Sequence, residues 1–510
     1  MQWLDKVADE AIAAHPDGEI LVSSGVSPSG IYHVGTLREV LTADAIMLEL
    51  RARGRDARHI HVVDDLDPLR KLPAGVDPAY EKYFGMPLSD VPSPDGKSGV
   101  SWADYYFKDF AKSAKVLGLD MEVVRSHKKY RTGFFVPAIE KALEKIEQAR
   151  QVLTEVSGRQ LDENWSPIQI KENNYLKSRR YLGIDAKKKV VLYEDKDGRQ
   201  KQVSYAGGDV KLYWRLDWPA RWWLLGVDVE PFGRDHATKG GSYDTGVGLV
   251  KKVFGDKPPL PVPYNFINRT GQTKKMSKSS GDTLAISDML QILPPEVLRY
   301  FILRYPPEKQ LYFDENEGLI KLFDDFAALL AKEDKTKDDQ QLISISLGNI
   351  NESTISNIPF SHLVASYQAA LKDPVKTLEI IRRTEHKVAV EAQQDIIQNE
   401  LKFIDSWLKD WAPEDIKFEL APRPPKIIPE NQRLYLSALA KKIEAAPADA
   451  DGEWFHKAIY EFKDTTGFTP KQLFGILYRV LIDKQSGPRA GWFLSILPRD
   501  WLLKRLRFEA

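Results

Sequence analysis

Cysteine is absent from the 510 residues, which excludes disulfides and any zinc site built on thiolates. Neither sign of charge is in excess, with 73 Lys and Arg against 73 Asp and Glu. A nucleic-acid partner would therefore be met by a local basic patch and not by the chain as a whole. No apolar run approaches the roughly 20 residues of a membrane span, and Met1-Gln2-Trp3-Leu4-Asp5-Lys6 has no signal-peptide pattern. No membrane partner and a cytoplasmic location are expected. What the chain does have is length: it exceeds what one core organises, and roughly three domains are expected.

The apolar spacing of Trp3, Leu4, Val7, Ala8, Ala11 and Ile12 predicts a helix over 2–14. A turn at Pro16-Asp17-Gly18 then leads into a strand over 19–23. Next comes Ser27-Pro28-Ser29-Gly30-Ile31-Tyr32-His33-Val34-Gly35-Thr36. Small residues and proline here lead a strand into an amphipathic helix, so backbone N–H groups and a histidine meet at a helix N-terminus, which suits a phosphate. Leu37, Val40, Leu41, Ala45 and Leu48 fall at helical spacing, and Gly54 precedes a second strand over 58–63. That is a β-α-β unit, the start of an α/β sheet. The second strand ends in Asp64-Asp65-Leu66-Asp67-Pro68-Leu69-Arg70-Lys71, at the edge where open α/β sheets gather ligands.

From about 73 to 203 the pattern is irregular, with helical spacing over 105–117 and 138–153, and reads as an insertion between two half-sheets. The second half opens with the aromatic run Tyr213 to Trp223, followed by Glu230 to His236 and Gly240 to Asp244. Trp222 and Trp223 suit core packing as well as a site wall, and His236 suits a buried structural role as well as a ligand contact. Gly240-Gly241 before a Ser-led helix permits close backbone approach to a ligand. Lys275-Met276-Ser277-Lys278-Ser279 lies in a polar loop without apolar period, either a solvated turn or a phosphate contact. Beyond Tyr305-Pro306-Pro307 the sheet pattern stops. Helical periods over 319–330, 360–371, 374–383, 391–408 and 471–481 take over, with linker-like stretches at 334–339 and 421–429.

The His33-Val34-Gly35-Thr36 and Lys275 to Ser279 stretches, in this order, resemble the two signature motifs of class I aminoacyl-tRNA synthetases. Ser24 to Gly30, Asp64 to Lys71 and Tyr213 to Asp244 resemble the lysyl enzymes of that class, typical of archaea and some bacteria. The resemblance covers essentially the whole chain. It implies an α/β fold in which a Rossmann-type nucleotide-binding domain (1–72 and 204–310) is interrupted by a connective insertion contacting the tRNA acceptor end (73–203). An α-helical anticodon-binding domain (311–510) follows. It further implies ATP-dependent activation of L-lysine to lysyl-adenylate and transfer to the 3′ end of tRNA-Lys by a monomer, with Mg2+ accompanying ATP. No structural zinc is expected, since the insertion, including Trp165 to Ile170, has no Cys.

By the same resemblance His33, Lys275 and Lys278 are the catalytic residues. Pro28, Ser29, Gly35, Thr36, Gly240, Met276 and Ser277 join them around ATP. Gly25, Ser27, Trp214, His236 and Tyr264 hold lysine, with Asp64 on its α-amino group. Thr36 stands where the usual motif has a second histidine. Glutamyl enzymes carry arginines around the first strand and the second-half site, where this chain has Ser23-Ser24-Gly25 and Glu230-Pro231-Phe232. A pocket without those arginines disfavours an anionic side chain and, with acidic or aromatic groups, accepts a cation. Two other classes share the pattern: an adenylyltransferase acting without tRNA, and a catalytically idle synthetase-like binding protein. The intact His33, Lys275 and Lys278 argue against the second.

If Lys278 neutralises the departing pyrophosphate, Lys278→Ala slows adenylate formation by about 10²–10³ and leaves lysine binding nearly intact. Single-turnover activation with equilibrium lysine binding checks this; weakened lysine binding at an unchanged rate contradicts it.

Overall fold

The computed structural model describes residues 1–271, 284–350, 353–447 and 450–509. The chain divides into two compact units. One comprises Met1–Leu290, Leu298–Phe313 and Thr336–Asn351, the other Gln291–Val297, Asp314–Lys335 and Glu352–Ala510.

The first unit is built on five parallel strands: β1 (Ile20–Val26), β2 (Ala57–Val63), β3 (Glu122–Arg125), β4 (Val229–Gly233) and β5 (Leu260–Tyr264). Their order across the sheet is β5-β4-β1-β2-β3. β1 pairs with β2 in register from Ile20 opposite Ala57 to Val26 opposite Val63, so the next residues, Ser27 and Asp64, emerge side by side. The Asp64 N–H donates to the Val26 carbonyl at 3.0 Å. The chain leaves β1 to one side to form β2 and β3, then returns on its other side as β4 and β5. In such a sheet a crevice opens at the carboxyl ends where the order reverses, between β1 and β4.

The helix Gln2–Ala14 and the strands β1 and β2 match the apolar spacing read from the sequence. The helix Val34–Ala52 was expected to be amphipathic and is instead buried nearly all round, Arg38, Asp44 and Glu49 included. It packs on β1, β2 and the N-terminal helix at once, so its polar residues must find partners inside the protein. Arg38 donates to the carbonyls of Ile302, Pro306 (2.7 Å), Pro307 (3.0 Å) and Lys309 (3.2 Å). Asp44 pairs with Arg299 at 2.6 Å, both fully buried. Arg299 also donates to the carbonyls of Ile345 (2.7 Å) and Leu117 (3.3 Å), tying three distant stretches of this unit to one helix.

The stretch read as irregular contains two small antiparallel sheets. In one, Ile168–Glu172 pairs with Tyr175–Lys177 and Val210–Leu212; in the other, Val190–Glu194 lies between Arg180–Asp185 and Gln200–Ser204. These strands are short and rich in Lys, Arg and Gln, which masks the two-residue period. The helical spacing over 138–153 resolves into Val136–Glu144 and Ile146–Ser157, broken at Lys145.

The second unit is helical. Glu430–Glu444, Gly452–Tyr460, Pro470–Ile482, Ala490–Ile496 and Arg499–Leu506 share one core around Leu436, Leu439, Ile459, Leu477 and Phe493. Phe360–Ala369, Pro374–Ile381 and Gln394–Asp410 also fall close to the helical periods of the sequence.

Removing one member of a buried ion pair leaves the other charge uncompensated, at a cost of about 3–5 kcal/mol. Asp44→Ala should lower the denaturation midpoint of the first unit accordingly, and adding Arg299→Met should recover much of the loss. Urea unfolding of the two variants tests this; a double variant less stable than Asp44→Ala would contradict it.

Candidate active site

After β1 the chain runs through Ser27 to Tyr32 into the helix Val34–Ala52. His33 caps that helix in an extended backbone conformation, its Nδ1 accepting the Gly35 N–H at 3.1 Å. A neutral ring accepting at Nδ1 carries its proton on Nε2. A Cβ on residue 35 would lie 2.8 Å from the imidazole, so Gly35 is what lets the ring fold over the helix end. The Thr36 N–H donates to the His33 carbonyl at 2.8 Å. A loop of small residues, a helix N-terminus and an imidazole donor are therefore consecutive, as phosphate recognition requires. Gly240 has a different occupation. It adopts φ +71°, a Cβ there would meet the Val156 carbonyl at 2.6 Å, and its N–H donates to Asp244 at 2.9 Å. Its smallness answers to packing within the protein. Lys275, Met276, Ser277 and Lys278 lie outside the described residues.

A cavity of about 380 Å³ opens at the carboxyl ends of the strands. It is lined by Gly25 and Val26 at the end of β1 and Ser27 just after it, by Asp64 and Asp67 after β2, and by Pro231, Phe232 and His236 from β4 onward. Trp214, Trp218, Arg221 and Trp222 line it from the helix Trp214–Leu225. The residues expected at the lysine site thus converge: Gly25, Ser27, Asp64, Trp214 and His236 share one wall system. Tyr264 stands one step back, its hydroxyl donating to Glu39 at 2.7 Å, and Glu39 itself lines the cavity.

The charges fall into two groups. In the first, Arg221 pairs with Asp64 and Asp217, while Lys211, 1 % exposed, lies 3.1 Å from Asp67 and 3.7 Å from Asp217. The cavity is therefore not free of arginine: Arg70 lines it as well, whereas Arg221 is already paired with two carboxylates. Burial works to raise the Asp64 carboxyl, and Arg221 and Lys211 outweigh it, holding the group below its usual range. Asp64 Oδ1 is buried without a hydrogen-bond partner among the described residues.

The second group is Glu39 and Glu230, whose hydrogen-bond donors are neutral. Glu39 accepts from the Gly25 N–H at 2.7 Å and from Tyr264; Glu230 accepts from the indole N–H groups of Trp218 (3.1 Å) and Trp222. Burial pushes Glu39 up to about 8 and Glu230 up to about 7 despite those donors. Among the described residues the pull of Arg221 on Glu230 does not offset its burial, and neither group has an ion-pairing cation. An incoming ammonium would supply it, and Trp218, Phe232 and Trp214 offer apolar and π surface for the stem that carries it.

Sequence reasoning did not single out Glu39, Trp218 or Arg221. Glu39 left one signal, an acid among apolar neighbours in a helix flanked by two strands. Arg221 and Trp218 were hidden inside an aromatic run that reads equally well as core. Trp222 meets both descriptions, being 1 % exposed and bonded to Glu230.

The chain belongs to the class I tRNA synthetases, a class to which the crevice, the His33-capped loop and the adjoining cavity are suited. Within that class it belongs to the family described as tRNA synthetases class I (K), whose model matches residues 1–349. The chain is similar to lysine–tRNA ligase 1 of Methanosarcina acetivorans, at 36% identity over 535 residues, 99% of this chain and 98% of that one. It is likewise similar to the lysine–tRNA ligase of Archaeoglobus fulgidus, at 35% identity over 509 residues and 99% of each chain. A solved structure of a glutamate tRNA ligase from Elizabethkingia meningosepticum aligns over 96% of this chain and 98% of its own, with 13% identity and a TM-score of 0.43.

The raised carboxyls fix the sign of a pH effect. Glu39 and Glu230 keep their protons in the folded state above the pH at which the unfolded chain releases them. The stability they contribute is complete below about pH 4.5 and is lost as pH rises through about 7 to 8. Glu39→Gln, which cannot titrate, should flatten that decline in urea midpoints measured from pH 5 to 9. A profile identical to that of the parent protein would contradict the assignment.

Proposed function

We propose that this chain activates L-lysine with ATP and transfers it to the 3′ end of tRNA-Lys. The observation that carries this reading is the pair Glu39 and Glu230, a half-buried and a buried carboxyl with no ion-pair partner among the described residues, in a cavity walled by tryptophans. The named activity of the full-length relatives supports it. In this arrangement the side-chain ammonium is taken by Glu39 and Glu230, which ionise as it binds. The methylenes lie against Trp214 and Trp218, and Asp64 Oδ1 accepts from the α-amino group. Gly25, Ser27, His236 and Tyr264 complete the pocket, Tyr264 by orienting Glu39.

ATP enters with its own magnesium at the loop of Pro28, Ser29, His33, Gly35 and Thr36. His33 Nε2–H and the helix N-terminus meet its phosphates, and Lys275, Met276, Ser277 and Lys278 approach from the second motif. Of the ATP residues read from the sequence, Gly240 already has its N–H committed to Asp244. A lysine carboxylate oxygen attacks the α-phosphorus, the bond to the β-phosphate bridge breaks, and pyrophosphate leaves. A terminal tRNA hydroxyl then attacks the adenylate carbonyl and AMP leaves. No protein nucleophile takes part, so the residues act by positioning and by charge. Residues 73–203 meet the acceptor end, and the helical region from 311 onward meets the anticodon end.

Pyrophosphate exchange with each amino acid, with and without tRNA, tests the reading together with tRNA charging. Lysine should support exchange far better than norleucine, which matches its length but brings no charge to satisfy the acids. Glutamate should be inactive. Exchange with glutamate at the level of lysine would overturn the specificity, and activation of lysine without charging of any tRNA would make the protein an adenylyltransferase.

A further inference from the structure

The helical unit contains a cluster that the ligase reaction does not use. His362 lies in the first turn of the helix Phe360–Ala369, and Glu385 and His386 end the loop after Pro374–Ile381. His362 Nδ1 and His386 Nε2 are 2.8 Å apart, and Glu385 Oε1 is 3.6 Å from His386 Nε2. All three donor atoms fall within 4.8 Å of one another, the one such grouping among the described residues. We propose that His362, His386 and Glu385 form a zinc-type divalent cation site that braces these two helices.

The donor set is two imidazoles and a carboxylate, which suits zinc, cobalt(II) or nickel and not the oxygen-seeking magnesium or calcium. Bond lengths of roughly 2.0–2.2 Å from metal to nitrogen or oxygen place neighbouring ligands about 3.3–3.5 Å apart in a tetrahedron. The two ring nitrogens therefore need to open by about half an ångström, and the carboxylate, already near that range from His386, has to stay within reach of His362. Two further features prepare the rings. The His362 ring stacks on Trp492 with centroids 3.9 Å apart, which fixes its plane. The His386 backbone N–H is held by Thr384 Oγ1 at 3.2 Å, itself bonded to the Ile381 carbonyl at 2.7 Å.

The charges facing the cluster are mixed. Arg489 lines the same cavity of about 350 Å³ as His362 and opposes a cation, whereas Glu317 and Asp415 line it and favour one. Three protein donors leave a fourth position for water or for a group entering that cavity. Without metal the same rings make a single N–H···N hydrogen bond, so the loop is preformed.

The full-length protein, stripped with a chelator, is titrated with zinc against a chromophoric chelator, and separately with cobalt(II) while its visible d–d bands are followed. The expected result is one tight equivalent, tetrahedral cobalt bands, and a thermal midpoint raised by zinc. His386→Gln should abolish that equivalent and the zinc-dependent rise. Glu385→Gln, at a position exposed enough to leave folding intact, should weaken binding about tenfold or more, the scale on which even outer-shell changes act. No tight equivalent in the parent protein, or an equivalent that survives both substitutions unchanged, overturns the site. Because the readouts are metal uptake and stability, neither depends on the ligase reading.

Discussion

Everything at the active site depends on β1 being paired in parallel on both sides. The Val26–Val63 register delivers Ser27 and Asp64 to neighbouring positions, and β4, entering on the opposite side, adds Pro231, Phe232 and His236 to the same rim. The crevice is thus a product of strand order, and the His33-capped loop and the cavity beside it are two consequences of it. The buried helix Val34–Ala52 binds them together. One end carries the His33 cap over Gly35, its next turn presents Glu39 to the cavity, and Asp44 below anchors it through Arg299.

Within the cavity, the two charge groups divide the work. Asp64, Asp67, Asp217, Arg221 and Lys211 form an ion-paired polar wall of three carboxylates and two cations, in which the Asp64 Oδ1 is among the buried oxygens left without a hydrogen bond among the described residues. Glu39 and Glu230 are surrounded by neutral donors and hold protons that an ionised partner would displace. A site of this kind is selective because its unliganded state is uncomfortable. On the proposed reading it gains from a cation what it cannot gain from a neutral isostere. The guanidinium of Arg221 is already spent on two carboxylates, so it does not oppose that reading.

Much of the first half of this arrangement was legible in the sequence, because helix and strand periods there are long and the turn chemistry is local. The helix Gln2–Ala14, strands β1 and β2, and the capped loop at His33 follow from spacing alone. The insertion's small sheets were not legible, since strands such as Tyr175–Lys177 are three residues long and carry no usable period. Glu39 was missed for a different reason. A glutamate in a helix is ordinarily solvated, and only the burial of this helix on nearly every side makes it a site residue. Tyr264 was expected at the lysine pocket, and its hydroxyl donates to Glu39, which lines the cavity. Side chains that meet across a fold in this way leave no trace in residue spacing.

The account stands on Glu39 reading the charge of the substrate. The most direct measurement is the affinity of lysine and of norleucine for the parent protein and for Glu39→Gln. The account predicts that the substitution weakens lysine by about 10- to 100-fold, the scale of a lost charged hydrogen bond, and leaves norleucine unchanged, so that the preference between them collapses. Equal losses for both ligands, or an intact preference, would contradict it.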